Sequence, residues 1–226
     1  MPLFQLTQDL IFPNPELAEE DGLLAIGGDL SPERLLLAYS HGIFPWFNEG
    51  DPILWWSLNP RLVLFLDQFK CSHSLFRTIK SNKFKVIFDS NFEEVIIKCS
   101  SVNRINQEGT WICNEMIEAY INLYKLGFAH SVEVYFEDKI VGGLYGVSIG
   151  KIFMGESMFH IMTDASKVAL FHLVEHLKKW DFLCIDAQQP TNHLISLGAK
   201  EIERKKYLDL LKEATKYSTH SGNWNI

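Results

Sequence analysis

The sequence predicts an α+β protein: a small, loop-rich N-terminal domain over residues 1–62, then a mixed sheet with packed helices over residues 63–226. Three observations predict it. The stretch "FPNPELAEEDGLLAIGGDLSPERLLLAYSHGIFPWF" is dense in Pro and Gly and holds one short helix signal. From about residue 63, strand-like and helix-like segments follow one another. Between residues 130 and 159, three strand-like runs are joined by tight turns.

Each element has a local cause. Ser31-Pro32 is a helix start, with an N-cap hydroxyl and a proline at the first helical position. Leu35, Leu36 and Tyr39 continue the apolar face, and Gly42 stops it. "WWSLNPR" leaves the first domain. "RLVLFL" and "FKVIFD" read as strands. "DSNFEEVIIKCSS" reads as a helix capped by Asp89, Ser90 or Asn91. "NEMIEAYINLYKLG" is a second helix, capped by Asn114, with Ile117, Tyr120, Ile121 and Tyr124 on one face and Gly127 as its stop. "HSVEVYF", "KIVGGLYGVSIG" and "KIFMGESMF", with turns at Glu137-Asp138 and Gly150, form an antiparallel meander. "DASKVALFHLVEHLKKW" is a buried helix, "FLCIDA" a strand, and "NHLISLGAKEI" begins a helix that Gly198 ends. Meander, packed helix, strand and helix are the element order of an acetyltransferase-like (GNAT-like) domain, a likeness of fold rather than of chemistry.

With 226 residues, 47% of them hydrophobic, the chain can bury a core rather than stay disordered. No run reaches the length of a membrane-spanning helix, and "MPLFQLTQDLIFP" lacks the pattern of a secretory leader, so no membrane partner is expected. Cys71, Cys99, Cys113 and Cys184 form no C-x-x-C pair, and buried thiols in a reducing compartment are expected.

The net charge of −7 argues against nucleic acid, but its distribution does not. Residues 1–62 hold nine acids against Arg34 and Arg61, and alone sum to −7. Residues 68–88 contain no acid, and carry Lys70, Arg77, Lys80, Lys83 and Lys85. This is either a solvated face or a patch for phosphates.

Four constellations carry candidate chemistry. Strict alternation puts Ile152, Met154, Glu156, Met158 and His160 on one face of a strand. A carboxylate there needs a cation or donors, or its pKa moves. It is either a salt bridge to Arg104 or Lys167, or one acid in an apolar pocket aimed at an ammonium. In "IDAQQ", Asp186 and Gln188 lie two apart, so their side chains can bond, the carboxylate polarising an amide whose oxygen accepts from a substrate N–H; the alternative is a turn-forming Asp before Pro190. "HLVEH" matches H-x-x-E-H, but a helix that the core needs and the lack of a third ligand argue against zinc. Trp46, Trp55, Trp56 and Trp111 are core, or stacking platforms for an RNA end. No phosphate-binding glycine loop is present, and "HIMTDASKVAL" lacks the glycine-rich turn that holds a coenzyme A pyrophosphate.

Taken together, "FPNPELAEEDGLLAIGGDLSPERLLLAYSHGIFPWF", "WWSLNPR", "TWI", "GFAHSVEVY", "IVGGLYGVSIGKIFMGESMF", "ASKVAL", "IDAQ" and "HLISLGA" resemble bacterial leucyl/phenylalanyl-tRNA–protein transferases from about residue 12 to 199. Leu58 stands where that family usually has proline, and Ala187 where it usually has cysteine. The resemblance implies transfer of Leu or Phe, less readily Met, from aminoacyl-tRNA to a protein's N-terminal Arg or Lys, marking it for N-degron proteolysis. It implies no metal and no coenzyme A, a cytoplasmic site of action and a monomer. It places Asp186, Gln188 and Glu156 at the chemistry, and Phe153, Met158, Leu144, Ile185 and Gly155 around the amino-acid side chain. Arg77, Lys80, Lys83 and Lys85, with Trp46 and Trp111, would meet tRNA. Glu156 would meet either the donor's α-ammonium or the acceptor's side chain. An acyl-CoA N-acyltransferase is the enzymatic alternative, and a non-catalytic module for an RNA end or a peptide N-terminus is the other.

Overall fold

The computed structural model describes residues 3–101 and 111–225. Two sheets organise it. Strands β1 (Phe4–Leu6), β2 (Leu23–Gly27), β3 (Phe44–Pro45) and β4 (Leu54–Trp56) form a small sheet in the order β1-β2-β4-β3. Helix α1 (Pro32–Ser40) packs beside it, started as expected by Ser31, whose hydroxyl accepts the Arg34 N–H. Gly42 follows with φ +74°, the left-handed stop that a glycine supplies without steric cost. Trp55 is fully buried and donates its indole N–H to Gly27 O (2.8 Å).

The larger sheet begins with β5 (Arg61–Phe65). Helix α2 (His73–Lys80), strand β6 (Lys85–Phe88), helix α3 (Phe92–Ser100) and helix α4 (Asn114–Lys125) follow. Then come β7 (Ala129–Phe136), β8 (Lys139–Ile149) and β9 (Ile152–His160), the expected antiparallel meander. Glu137 and Asp138 both take positive φ (48° and 61°), the conformation of the tight hairpin turn that matches strand twist. Helix α5 (Ala165–Lys179), β10 (Cys184–Gln188), α6 (Asn192–Ser196), β11 (Lys200–Ile202) and α7 (Arg204–Ala214) complete the order. The sheet runs β11-β5-β10-β9-β8-β7-β6, with β10 parallel to β9 and the other pairs antiparallel. It is thus the mixed sheet with packed helices that the element order implied. Helices α3 and α4 pack with one face of it, and α5 covers the other.

Two expectations need correction. Asn114 is not the cap of α4. It is already helical, and Cys113 stands at the N-cap without a side-chain bond. The buried face of α4 is Met116, Ala119, Tyr120 and Leu123, with Ile117, Ile121 and Tyr124 at its margin. The strict alternation predicted for β9 also fails. Opposite β9, Tyr145 pairs with Ser157 and Gly146 with Gly155, so Glu156 is an extra residue, a β-bulge. The bulge reverses which parity faces which layer. Ile152 and Met154 share a core layer with Phe159, while Phe153 and Met158 share the other.

Candidate active site

Beside this bulge lies a cavity of about 610 Å³, with Gly155, Glu156 and Ser157 in its lining. Its apolar walls are Leu64, Leu144, Phe153, Met158, Leu170, Leu173 and Ile185, drawn from β5, β8, β9, α5 and β10. Gly155 adds bare backbone, and Phe44, Pro45, Trp46 and Trp111 add an aromatic margin. Glu156 and Gln188 contribute its polar groups together with Ser157, Gln189, Thr191 and His193. Every residue expected around the amino-acid side chain therefore lines one cavity, and so do Trp46 and Trp111. Trp46 also packs against Trp56 at 5.4 Å between centroids, and accepts the Trp56 indole N–H on its carbonyl (2.7 Å).

Glu156 is 9% exposed and takes no salt bridge among the described residues. Instead of a cation, three neutral donors meet it. Tyr39 Oη donates to Oε1 (2.7 Å), Tyr120 Oη to Oε2 (2.9 Å) and Gln188 Nε2 to Oε1 (2.8 Å). Tyr39 and Tyr120 Oη are also hydrogen-bond neighbours of each other; with one hydroxyl hydrogen apiece, the Tyr39–Tyr120, Tyr39–Glu156 and Tyr120–Glu156 contacts are all made only when the Glu156 carboxyl carries a proton. Lys167, an expected partner, pairs with Asp164 at 3.0 Å, one α5 turn away; Arg104 lies outside the described residues. Burial lifts the Glu156 carboxyl to about 7 against the pull of these three donors, with Asp186 adding to the rise. Both tyrosines are pushed well above their ordinary range, first by burial and then by Glu156, so they remain donors.

Asp186 is fully buried and is not in the cavity wall. It does not bond the Gln188 amide, contrary to expectation. A second bulge intervenes, with Asp186 opposite Val63 and Gln188 opposite Leu62. Asp186 Oδ1 accepts the Gln188 backbone N–H (3.0 Å), while the Gln188 side chain turns to Glu156. Arg61 forks onto Asp186, Nε to Oδ1 at 2.8 Å and Nη2 to Oδ2 at 2.7 Å, and Tyr207 Oη donates to Oδ2 (2.7 Å). The guanidinium lies over the rings of Phe44 (4.7 Å) and Tyr207 (4.6 Å). Burial disfavours the Arg61 charge, but Asp186, with Tyr207 and Glu156, more than offsets this and the Arg61 pKa is raised. Gln188 has φ +59°, a strained left-handed conformation for glutamine that this buried cluster holds in place. With Nε2 committed to Glu156, the Gln188 Oε1 is the atom left to accept from a ligand.

Sequence reasoning missed Tyr39, Tyr120, Arg61 and Tyr207 as members of this network. Arg61 left a trace: it opens the otherwise apolar run "RLVLFL", where a charge must find a partner. The tyrosines left none, since they read as ordinary helix-face residues. Arg77, Lys80, Lys83 and Lys85 are all exposed, where α2 turns into β6, the edge strand. They lie outside the cavity wall. His176 of "HLVEH" stacks on Phe88 (4.5 Å) and meets Trp180 edge-on (4.1 Å). Among the described residues, no group of three His, Cys, Asp or Glu is placed to hold a metal, and no helix is long and apolar enough to cross a membrane.

A mixed sheet thus carries a mostly apolar pocket with a convergent polar pair at its wall, the form of a ligand-binding or catalytic cleft. Comparisons with known proteins specify it further. The family model described as leucyl/phenylalanyl-tRNA protein transferase matches residues 63–212, and that of the family's N-terminal domain matches residues 28–59. A leucyl/phenylalanyl-tRNA–protein transferase of Thermodesulfovibrio yellowstonii is 57% identical over 100% of this chain and 92% of its own. One from Maridesulfovibrio salexigens is 54% identical over 100% and 95%. The chain belongs to the leucyl/phenylalanyl-tRNA–protein transferase family and is an aminoacyltransferase. Among solved structures, L-PGS from Bacillus licheniformis is similar at a TM-score of 0.43 and 10% identity, over 89% of this chain and 65% of that one. A GCN5-related N-acetyltransferase from Kribbella flavida is similar at 0.34 and 6%, over 75% and 60%. Both likenesses are too distant to bear on function.

Proposed function

We propose that this protein transfers Leu or Phe, and less readily Met, from aminoacyl-tRNA to the N-terminal Arg or Lys of a cytoplasmic protein, creating an N-degron. The observation that carries the reading is the pairing of an apolar cavity with the Glu156–Gln188 pair at its wall. Flexible thioether and ring surfaces, here Met158 and Phe153, accept several unbranched-at-Cβ side chains. Branching at Cβ, as in Ile and Val, widens the side chain where it enters.

The donor is already an activated ester, so the enzyme's work is positioning and proton management. The acceptor's α-amine attacks the ester carbonyl, the C–N bond forms, the C–O bond to the terminal ribose breaks, and the ribose oxygen takes up a proton. Gln188 Oε1 accepts a hydrogen bond from the attacking amine. Glu156, ionised, meets the positive charge of the donor's α-ammonium or of the acceptor side chain. Asp186 acts at one remove: neutralised by Arg61, it holds the Gln188 backbone in its turn. Trp46 and Trp111 offer rings to the terminal bases of the tRNA, and Arg77, Lys80, Lys83 and Lys85 meet its phosphates.

The test is transfer of radiolabelled Leu from charged tRNA to a protein beginning with Arg, against one beginning with Ala, with an acyl-CoA donor in parallel. Label is expected on the Arg protein alone and from tRNA alone. Equal labelling of both proteins, or transfer from the thioester, overturns the reading. Gln188→Ala is expected to lower turnover by 10²-fold or more, on the order of a lost positioning contact, with little change in aminoacyl-tRNA binding. Unchanged single-turnover rates remove Gln188 from the chemistry.

A further inference from the structure

The segment after α7 runs back over the large sheet. Thr219 Oγ1 accepts the Gly150 N–H (2.9 Å), and Gly222 N donates to Gly127 O (3.0 Å). Trp224 N then donates to the buried Asp89 Oδ2 (2.8 Å). The Trp224 ring is 2% exposed, stacks on His130 at 3.7 Å between centroids and donates its indole N–H to His220 O (3.1 Å). Both of its N–H groups are thus taken up, and neither bond goes to a group of the reaction centre.

What it does touch is Phe153, at 5.8 Å between centroids. Phe153 is a wall of the cavity; Trp224 is not. The Phe153 ring is confined from a second direction as well, because it lies against Gly146. A Cβ built there would fall 2.5 Å from Phe153 Cε1 and 2.7 Å from Cζ. The ring therefore fills the notch at Gly146 and has the indole, itself outside the cavity wall, as a second neighbour. Interiors are close-packed, so a side chain held between two stops keeps one position, and removing one stop frees it.

We propose that Trp224 is a specificity-determining positioning residue, which backs Phe153 and so sets the length of the amino-acid pocket. The inference rests on the aminoacyl-transfer reading above. Without the indole, Phe153 swings into the vacated space and the pocket lengthens. A longer side chain then gains contact, and a short one loses it. Discrimination on this scale of volume is worth about tenfold or more per methylene-sized change.

The experiment compares wild type, Trp224→Ala and Trp224→Phe in transfer of Leu, Phe and Trp from their charged tRNAs to a protein beginning with Arg. The Phe-to-Leu ratio of kcat/KM is expected to rise roughly five- to tenfold in Trp224→Ala and less in Trp224→Phe, with Trp transfer becoming measurable. A purely structural role would lower all three donors by one common factor, and that result overturns the inference. If Trp224→Ala fails to fold, Trp224→Phe carries the test, and an unchanged ratio there is equally fatal. Absence of Leu and Phe transfer by wild type would instead refute the functional reading, which separates the two failures.

Discussion

At Glu156, burial and hydrogen bonding pull in opposite directions, and burial wins by enough to bring the carboxyl to about 7. Its folded value lies above its unfolded one, so between the ordinary carboxylate range and about 7 the folded state binds more protons. Stability contributed by the neutral form is therefore full at low pH and is lost as pH rises through that window. Glu156→Gln removes the dependence. Relative to wild type it is expected to gain on the order of 3 kcal/mol between pH 4 and pH 8, read from urea midpoints. Tyr120→Phe deletes a donor that holds the carboxyl down, so the Glu156 inflection in the pH profile of transfer is expected above its wild-type position. Asp186 responds differently. Asp186→Ala strands Arg61, whose side chain is wholly buried, and is expected to cost about 3–5 kcal/mol in unfolding experiments. A loss near zero would mean that water reaches the guanidinium.

Elements place these residues through two bulges and one close approach. The bulge in β9 turns Glu156 toward Tyr39 and Tyr120 and leaves Phe153 and Met158 together on the other layer. The bulge in β10 lets Gln188 leave the ladder and reach Glu156. The approach is at Gly142 of β8, where a Cβ would fall 2.5 Å from Ala165 Cβ and 3.0 Å from the Ala165 carbonyl carbon. The first turn of α5 thus rests directly on the strand, and α5 carries the Leu170 and Leu173 walls. Gly142→Val is expected to lift α5, cost about 1–3 kcal/mol or more, and raise KM for the donor; thermal unfolding and donor titration measure both.

Over the whole molecule, charge and pocket sit on different parts of one sheet. Arg77, Lys80, Lys83 and Lys85 lie at the β6 edge, while the pocket is built on β8, β9, β10 and β5 further along the strand order. A tRNA whose stem meets that edge could present its terminus to the cavity. Neutralising Lys83 and Lys85 together is expected to weaken tRNA binding and to reduce the slope of log K against log salt by roughly 1 to 2, without altering the Phe-to-Leu ratio. An unchanged salt slope would place the tRNA elsewhere.

The chain's local order determined much of this. Caps such as Ser31, stops such as Gly42, Gly127 and Gly198, and the meander turns act within a few residues, so much of the larger sheet's element order was legible, though α2, β11, α7 and the strands of the small sheet were not. So was part of the cavity lining, because the family's motifs mark Leu144, Phe153, Gly155, Met158 and Ile185, whereas nothing marked Leu64, Leu170 or Leu173. Only the tertiary structure decided the partners. Tyr39 reaches Glu156 across 117 residues, Arg61 reaches Asp186 across 125, and Trp224 backs Phe153 from beyond the last helix. Buried polar groups must be satisfied, but no spacing rule says by whom. A single extra residue in a strand reverses its parity, so the two bulges undid the predicted face of β9 and the predicted bond between Asp186 and the Gln188 amide.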